Sequence, residues 1–268
     1  MTTYSYALAD SLTMLRRNLR RMRRYPSLTF FIAGIPVVFL LLFVYVLGGT
    51  LGAGLGGVSG GRDAYVAYVV PGILLITVAG AAQGTAISIA MDMTEGIIAR
   101  FRTMAIGRTS VLTGHVVGSV IQTMLAIAIV TGVALLIGFR PTTGPVELIA
   151  AVGLLVLTAV AVSWLSVALG MVPGDVETAS NLPMFLVLLP FLSSGFVPTD
   201  SMPDGLSWVA ENQPFTPVIE TLRGLLLGTP IGDSGVLAVA WCVGFSVVGY
   251  LWARRLYDRS SAARRVDK

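Results

Sequence analysis

The chain has 268 residues, of which 55% are hydrophobic and only 12% charged, with a mean hydropathy of +0.82 and a net charge of +4. Soluble domains carry about 25% charged residues, so this chain lacks the charge to cover a water-facing surface and reads as a polytopic membrane protein. Its only lysine is Lys268, its only cysteine Cys242 and its only histidine His115; this excludes a P-loop, internal disulfides and multi-His or multi-Cys metal sites.

Residues 1–27 predict an amphipathic helix lying in the membrane interface. Leu8, Leu12, Leu15, Leu19 and Met22 recur at helical spacing, with Arg16, Arg17, Arg20, Arg21, Arg23 and Arg24 crowded beside them and Pro26 as the stop. Those arginines suit anionic headgroups, and part of the same face suits a cytoplasmic partner; the two roles are compatible.

A bilayer core of about 30 Å needs about 20 apolar residues per helix. That length predicts six spans, near Leu28–Gly49, Tyr68–Ala90, Val111–Gly138, Glu147–Met171, Asn181–Val197 and Ser234–Ala253, followed by a basic tail over 254–268. The first is too long for a signal-peptide core and is expected to stay as a membrane helix. Pro36, Pro71, Pro183 and Pro190 fall inside spans as expected bends, and Gly80 with Gly84 forms a small-xxx-small pair expected at a close helix crossing. The fold class is therefore all-α, a single transmembrane domain.

Between the second and third spans lies MDMTEGIIARFRTMAIGRTS, residues 91–110. Asp92 and Glu95 stand at capping-box spacing, with Asp in place of Ser or Thr. Ile97, Ile98, Phe101, Met104 and Ala105 then share one face, with Arg100, Arg102 and Arg108 off it. A short capped helix with apolar and cationic faces fits a protein groove, and equally an ordinary interfacial loop.

Between the fifth and sixth spans, Thr216 suits an N-cap, Pro217 the first helical position, and Gly228 with Pro230 the stop. The helix between them is about 16 Å long, half a bilayer, so it is expected to be re-entrant or interfacial. Glu220 and Arg223 stand three apart, as a pair would.

Of the 18 basic residues, 15 fall in the two ends and in the segments after the second and fourth spans, and only Arg62, Arg140 and Arg223 fall on the other side. The positive-inside rule then places both termini in the cytoplasm. The charge asymmetry accounts for the net +4 and makes no case for nucleic-acid binding.

Ionisable groups are nearly absent from the spans, which disfavours proton- or ion-coupled carriers. No G-x-S-x-G or H-E-x-x-H motif supports an intramembrane enzyme. Asn181-Leu182-Pro183 and Asn212-Gln213-Pro214 echo paired channel half-helices only weakly. The remaining reading is a transporter subunit powered by another chain.

Three blocks carry a family resemblance: EGIIARFRTMAIGR (Glu95–Arg108), SSGFVPTDSMPDGLSWVAENQPFTP (Ser193–Pro217) and VIETLRGLLLG (Val218–Gly228). Their order, the six spans and the disposition of the termini resemble the type-2 permease subunits of ATP-binding-cassette exporters, in the daunorubicin-resistance branch. Gly107 departs from the serine expected before Arg108.

The resemblance implies a chain with no cofactor of its own, paired with a second permease (a like copy or a paralogue). Two copies of a separate ATPase that binds ATP and Mg would sit beneath the pair, in a bacterial plasma membrane. It places ATPase docking on Arg16, Arg17, Arg20, Arg21 and Arg24, and on Asp92, Glu95, Arg100, Phe101 and Arg102. It also implies a substrate path between the two permeases, for which Gln83, Met184, Phe185 and Phe191 are the candidates. The expected cargo is an amphipathic, drug-like compound or antibiotic, with an endogenous lipid, glycolipid or polyketide as the alternative. A passive channel is the remote one.

Overall fold

The computed structural model describes residues 24, 26–53, 61–97, 108–172 and 176–266. Every element among them is helical. Helix α1 (Pro26–Leu42) runs through a π-helical turn (Phe43–Leu47) into α2 (Gly48–Ala53), and α3 (Arg62–Thr94) and α4 (Arg108–Leu136) follow. Helix α5 (Pro145–Met171) starts on Pro145 with Gly144 as N-cap and Glu147 in its first turn. A proline there loses no helical hydrogen bond and a carboxylate complements the helix dipole.

Among the described residues, five stretches are long and apolar enough to cross a membrane: Ile32–Gly52, Arg62–Thr94, Leu112–Leu136, Pro145–Met171 and Ser234–Asp258. The expected fifth span is not one continuous helix. It is divided into α6 (Val176–Asn181), α7 (Met184–Leu188) and a 3-10 turn (Leu189–Leu192). Pro183 stands at the N-cap of α7 and Pro190 within the 3-10 turn. A proline offers no N–H to the preceding turn and clashes with its carbonyl, so two of them in so short a run interrupt the helix rather than bend it.

Beyond it come a 3-10 turn (Thr199–Ser201), α8 (Asp204–Asn212), α9 (Phe215–Leu227) and α10 (Ser234–Val266). Helix α9 ends as expected on Gly228 in the left-handed conformation, φ 74°, its N–H bonded to the Gly224 carbonyl. Its start differs from the expectation. Pro214 is the N-cap and Thr216 lies inside the helix, its hydroxyl donating to the Ala210 carbonyl at the end of α8. The tail expected after Ala253 is a continuation of α10, helical to Val266.

Helix α3 is the axis of the bundle. Nearly every residue from Val69 to Ala82 is buried, because α1, α4, α5 and α9 all pack on it. At about 1.5 Å per residue its 33 residues measure about 50 Å, so it outruns the hydrocarbon core. Backbones approach closely at particular glycines. A Cβ on Gly170 would lie 2.5 Å from the Ala86 carbonyl oxygen, one on Gly72 would lie 2.8 Å from that of Gly195, and one on Gly249 would lie 2.7 Å from the Leu165 nitrogen. Gly80 and Gly84 are not such points: nothing lies within 4 Å of a Cβ on Gly80, and only the Ile32 Cδ1 at 3.9 Å from one on Gly84. The expected small-residue crossing is therefore displaced to Ala86–Gly170, and the Gly80–Gly84 strip lies open.

Three hydroxyls tie the centre together. Thr85 and Ser119 lie 2.6 Å apart and Ser119 and Ser163 3.0 Å apart, linking α3, α4 and α5. Such bonds between membrane helices contribute about 0.6 kcal/mol each, enough to fix rotation but not to hold the bundle.

Candidate functional site

The sequence-predicted positions fall at two ends of the bundle. At one end, Arg24 is helical and exposed, while Arg16, Arg17, Arg20, Arg21, Arg100, Phe101 and Arg102 lie outside the described residues. Asp92 and Glu95 are described, and they do not form a capping box. Helix α3 continues past Asp92 and ends at Thr94, so Asp92 stands in its last turn and Glu95 is its C-cap residue. Glu95 is exposed; Asp92 is only 4% exposed.

The buried carboxylate turns toward α4, where the Oδ2 of Asp92 lies 3.0 Å from the Nε2 of His115. The imidazole is also buried, and its Nε2 makes no hydrogen bond despite the short distance. An apolar cluster of Ile89, Leu112, Val116, Val167, Met171 and Tyr257 lies at the same end. Local spacing could not reveal this pair, since its members belong to different helices. The one available indication was the only histidine of the chain on the first turns of the helix that follows.

At the opposite end, Arg223 of α9 meets groups from α3 and from the turn after the broken segment. Its Nη2 donates to the Ser194 carbonyl at 2.8 Å and to the Tyr68 carbonyl at 3.4 Å, and the guanidinium lies 3.9 Å over the Tyr68 ring. The Tyr68 hydroxyl donates to the same Ser194 carbonyl at 2.7 Å, and the Ser194 N–H donates to the Thr216 hydroxyl at 3.4 Å. Glu220, the expected partner of Arg223, instead accepts from the Ser234 hydroxyl at 2.8 Å. The expected intrahelical contact is not formed, although the Glu220 carboxylate still acts on Arg223 through its charge. Pro217 is buried in the first turn of α9. Tyr68, Ser194 and Ser234 were missed in the sequence because each is an ordinary residue whose role exists only once α3, α9 and α10 are packed.

The candidate path residues separate into two groups. Gln83 is half-buried on α3 beside the exposed Gly84, and Met184 and Phe185 are 52% and 72% exposed on α7. Phe191 is turned inward instead. Its ring stacks on Phe196 at 5.2 Å and meets Phe39 edge-on at 5.4 Å, closing an aromatic cluster that Phe43 joins through Phe196.

Residues 10–227 match the profile of the ABC-2 type transporter family. The chain is 29% identical over 261 residues to the daunorubicin resistance ABC transporter permease protein DrrB1 of Streptomyces coeruleorubidus, covering 96% of this chain and 88% of the relative. It is 22% identical over 214 residues to the probable doxorubicin resistance ABC transporter permease protein DrrC of Mycobacterium tuberculosis, covering 80% and 75%. With an all-helical bundle, five helices of membrane-crossing length and a family match over most of its length, the chain belongs to the ABC-2 type transporter family as a multi-pass membrane protein.

Proposed function

We propose that this chain is the membrane subunit of an ATP-driven exporter of amphipathic, hydrophobic compounds, working as a pair of permeases above two copies of a separate ATPase. The observation that carries this reading is the likeness to a daunorubicin resistance permease along 96% of the chain. The broken segment α6–α7 completes a sixth crossing, leaving both termini in the cytoplasm of a bacterial cell, in keeping with the basic residues at the chain ends and in segment 95–107. The ATPase, which binds ATP and Mg, docks on Arg16, Arg17, Arg20, Arg21 and Arg24 and on Glu95, Arg100, Phe101 and Arg102; Asp92, buried behind that segment, takes no part in the contact. Gln83, Met184 and Phe185 face the cargo between the two permeases, and Phe191 backs that surface through its aromatic cluster. ATP binding drives transport only if it favours one arrangement of the permease pair over the other.

The chain is expected to move daunorubicin into inside-out proteoliposomes only when its ATPase and ATP are present. Flux through the permease alone would replace the exporter by a channel. A reversed pair of charges at the docking segment, Glu95→Arg with Arg102→Glu, is expected to reduce recovery of the ATPase with the affinity-tagged permease about tenfold, equivalent to about 1.4 kcal/mol. Full recovery in pull-down would remove those two residues from the docking surface.

A further inference from the structure

Asp92 and His115 stand at the base of a hairpin. Helix α3 leads down into residues 95–107, helix α4 leads back up, and the two side chains face each other 3.0 Å apart above that tip. The apolar cluster at this end draws Ile89 from α3, Leu112 and Val116 from α4, Val167 and Met171 from α5, and Tyr257 from α10. The inner ends of four helices therefore converge where the pair lies.

An acidic group in the last turn of a helix stands against the negative end of its dipole, and burial adds a desolvation cost. Apolar residues of similar size would close the same space without either cost. A polar pair in such a place is well suited to selecting one arrangement of its helices, because an apolar contact tolerates sliding, whereas two buried polar groups parted by sliding are left facing apolar surroundings. Above it the Thr85–Ser119–Ser163 hydroxyls extend the tie from α3 and α4 to α5.

We propose that Asp92 and His115 form a positioning pair that makes the hairpin tip and the inner ends of α3, α4, α5 and α10 move as one body, passing the motion of the docked ATPase into the bundle. The proposal rests on the exporter reading above. Without the pair the tip still binds its ATPase, but its motion is absorbed by sliding of α3 against α4.

The test uses the full chain with its ATPase in proteoliposomes, in a Cys242→Ala background carrying Leu136→Cys. Leu136, 86% exposed near the end of α4 remote from the hairpin, takes a spin label. The readout is the change in label accessibility on adding ATP and Mg. In the parent ATP changes the signal. In Asp92→Asn and His115→Asn the ATPase still co-purifies and hydrolyses ATP, but the label response falls at least tenfold. The double variant, in which neither member of the pair faces a missing partner, falls no further than either single one.

A response within twofold of the parent in any of these variants overturns the proposal, as do single losses that multiply in the double variant. Loss of ATPase co-purification also overturns it, since the pair would then serve only to fold the tip. A parent that binds and hydrolyses ATP with no label response removes the exporter reading itself, a result separate from any difference among the variants.

Discussion

An Arg223→Met variant is expected to unfold roughly 10 °C below the parent in detergent. The guanidinium holds the Ser194 carbonyl in common with the Tyr68 hydroxyl and covers the Tyr68 ring. Loss of a charge-assisted hydrogen bond costs about 2–3 kcal/mol and loss of the ring contact about 1 more. At about 2–4 °C per kcal/mol for a chain of this size, the sum gives the expected shift. Arg223→Lys keeps the charge but is shorter and has no planar face to lie over the Tyr68 ring, so it falls between. Tyr68→Phe removes one hydroxyl from a carbonyl that Arg223 still serves, and costs about 1 kcal/mol. The order of melting temperatures, Tyr68→Phe above Arg223→Lys above Arg223→Met, checks the arrangement. Equal values for all three would mean that Ser194 is held by its loop alone.

The effect reaches function through what the clamp joins. Ser194 follows the broken segment whose exposed Met184 and Phe185 are assigned to the cargo surface, and Gly195 lies against Gly72 of α3 at a distance no Cβ could occupy. Arg223 thus keeps the outer end of that segment on the axis helix. Loosening it is expected to raise uncoupled ATP hydrolysis in the assembled exporter before the protein unfolds.

What could be read in advance follows the range of each interaction. The continuous apolar runs of α3, α4, α5 and α10 announced themselves, because a helix of that length satisfies its own backbone and needs only a greasy solvent. The end of α9 was equally local, a glycine in left-handed conformation three residues after Leu225. Its start was not, because Thr216 at a good capping position is drawn instead to the carbonyl of Ala210 in the preceding helix. Pro183 and Pro190 were visible but ambiguous: whether a proline bends or ends a helix depends on what satisfies the freed carbonyl, and that is tertiary. Asp92 is the plainest case. Its spacing to Glu95 fits a helix beginning there, but α3 is long enough to include it, and its partner His115 lies on the other arm of the hairpin. Glu220 and Arg223 were neighbours as expected, but Glu220 meets Ser234 on α10 and Arg223 meets Ser194 in the turn after the broken segment.

The chain's 30 glycines show the same limit, and Gly170 turns it into a measurable contrast. Gly153 and Gly170 share α5, and nothing in their local sequence ranks one above the other. A Cβ on Gly153 meets nothing within 4 Å, whereas one on Gly170 would lie 2.5 Å from the Ala86 oxygen and 2.9 Å from its Cα. Those are backbone atoms in the middle of a helix, so no rotamer change relieves the clash and α3 has to move away from α5. Gly153→Val is expected to shift stability by no more than about 0.5 kcal/mol. Gly170→Val is expected to cost at least about 3 kcal/mol, the upper end of ordinary overpacking, seen as lost monodisperse protein on detergent extraction. Gly170→Ala, with one methyl, should retain folded protein and still separate the two helices. Gly170 lies beside Met171 and near Ala168 of the apolar cluster that also draws Ile89, Leu112 and Val116, the near sequence neighbours of Asp92 and His115, so that separation also loosens the packing at that end. The alanine variant is then expected to keep its ATPase and lose the ATP-driven response, reproducing the Asp92→Asn phenotype from a residue that carries no charge. If instead it transports like the parent, α3 and α5 tolerate a gap that their backbone contact does not suggest.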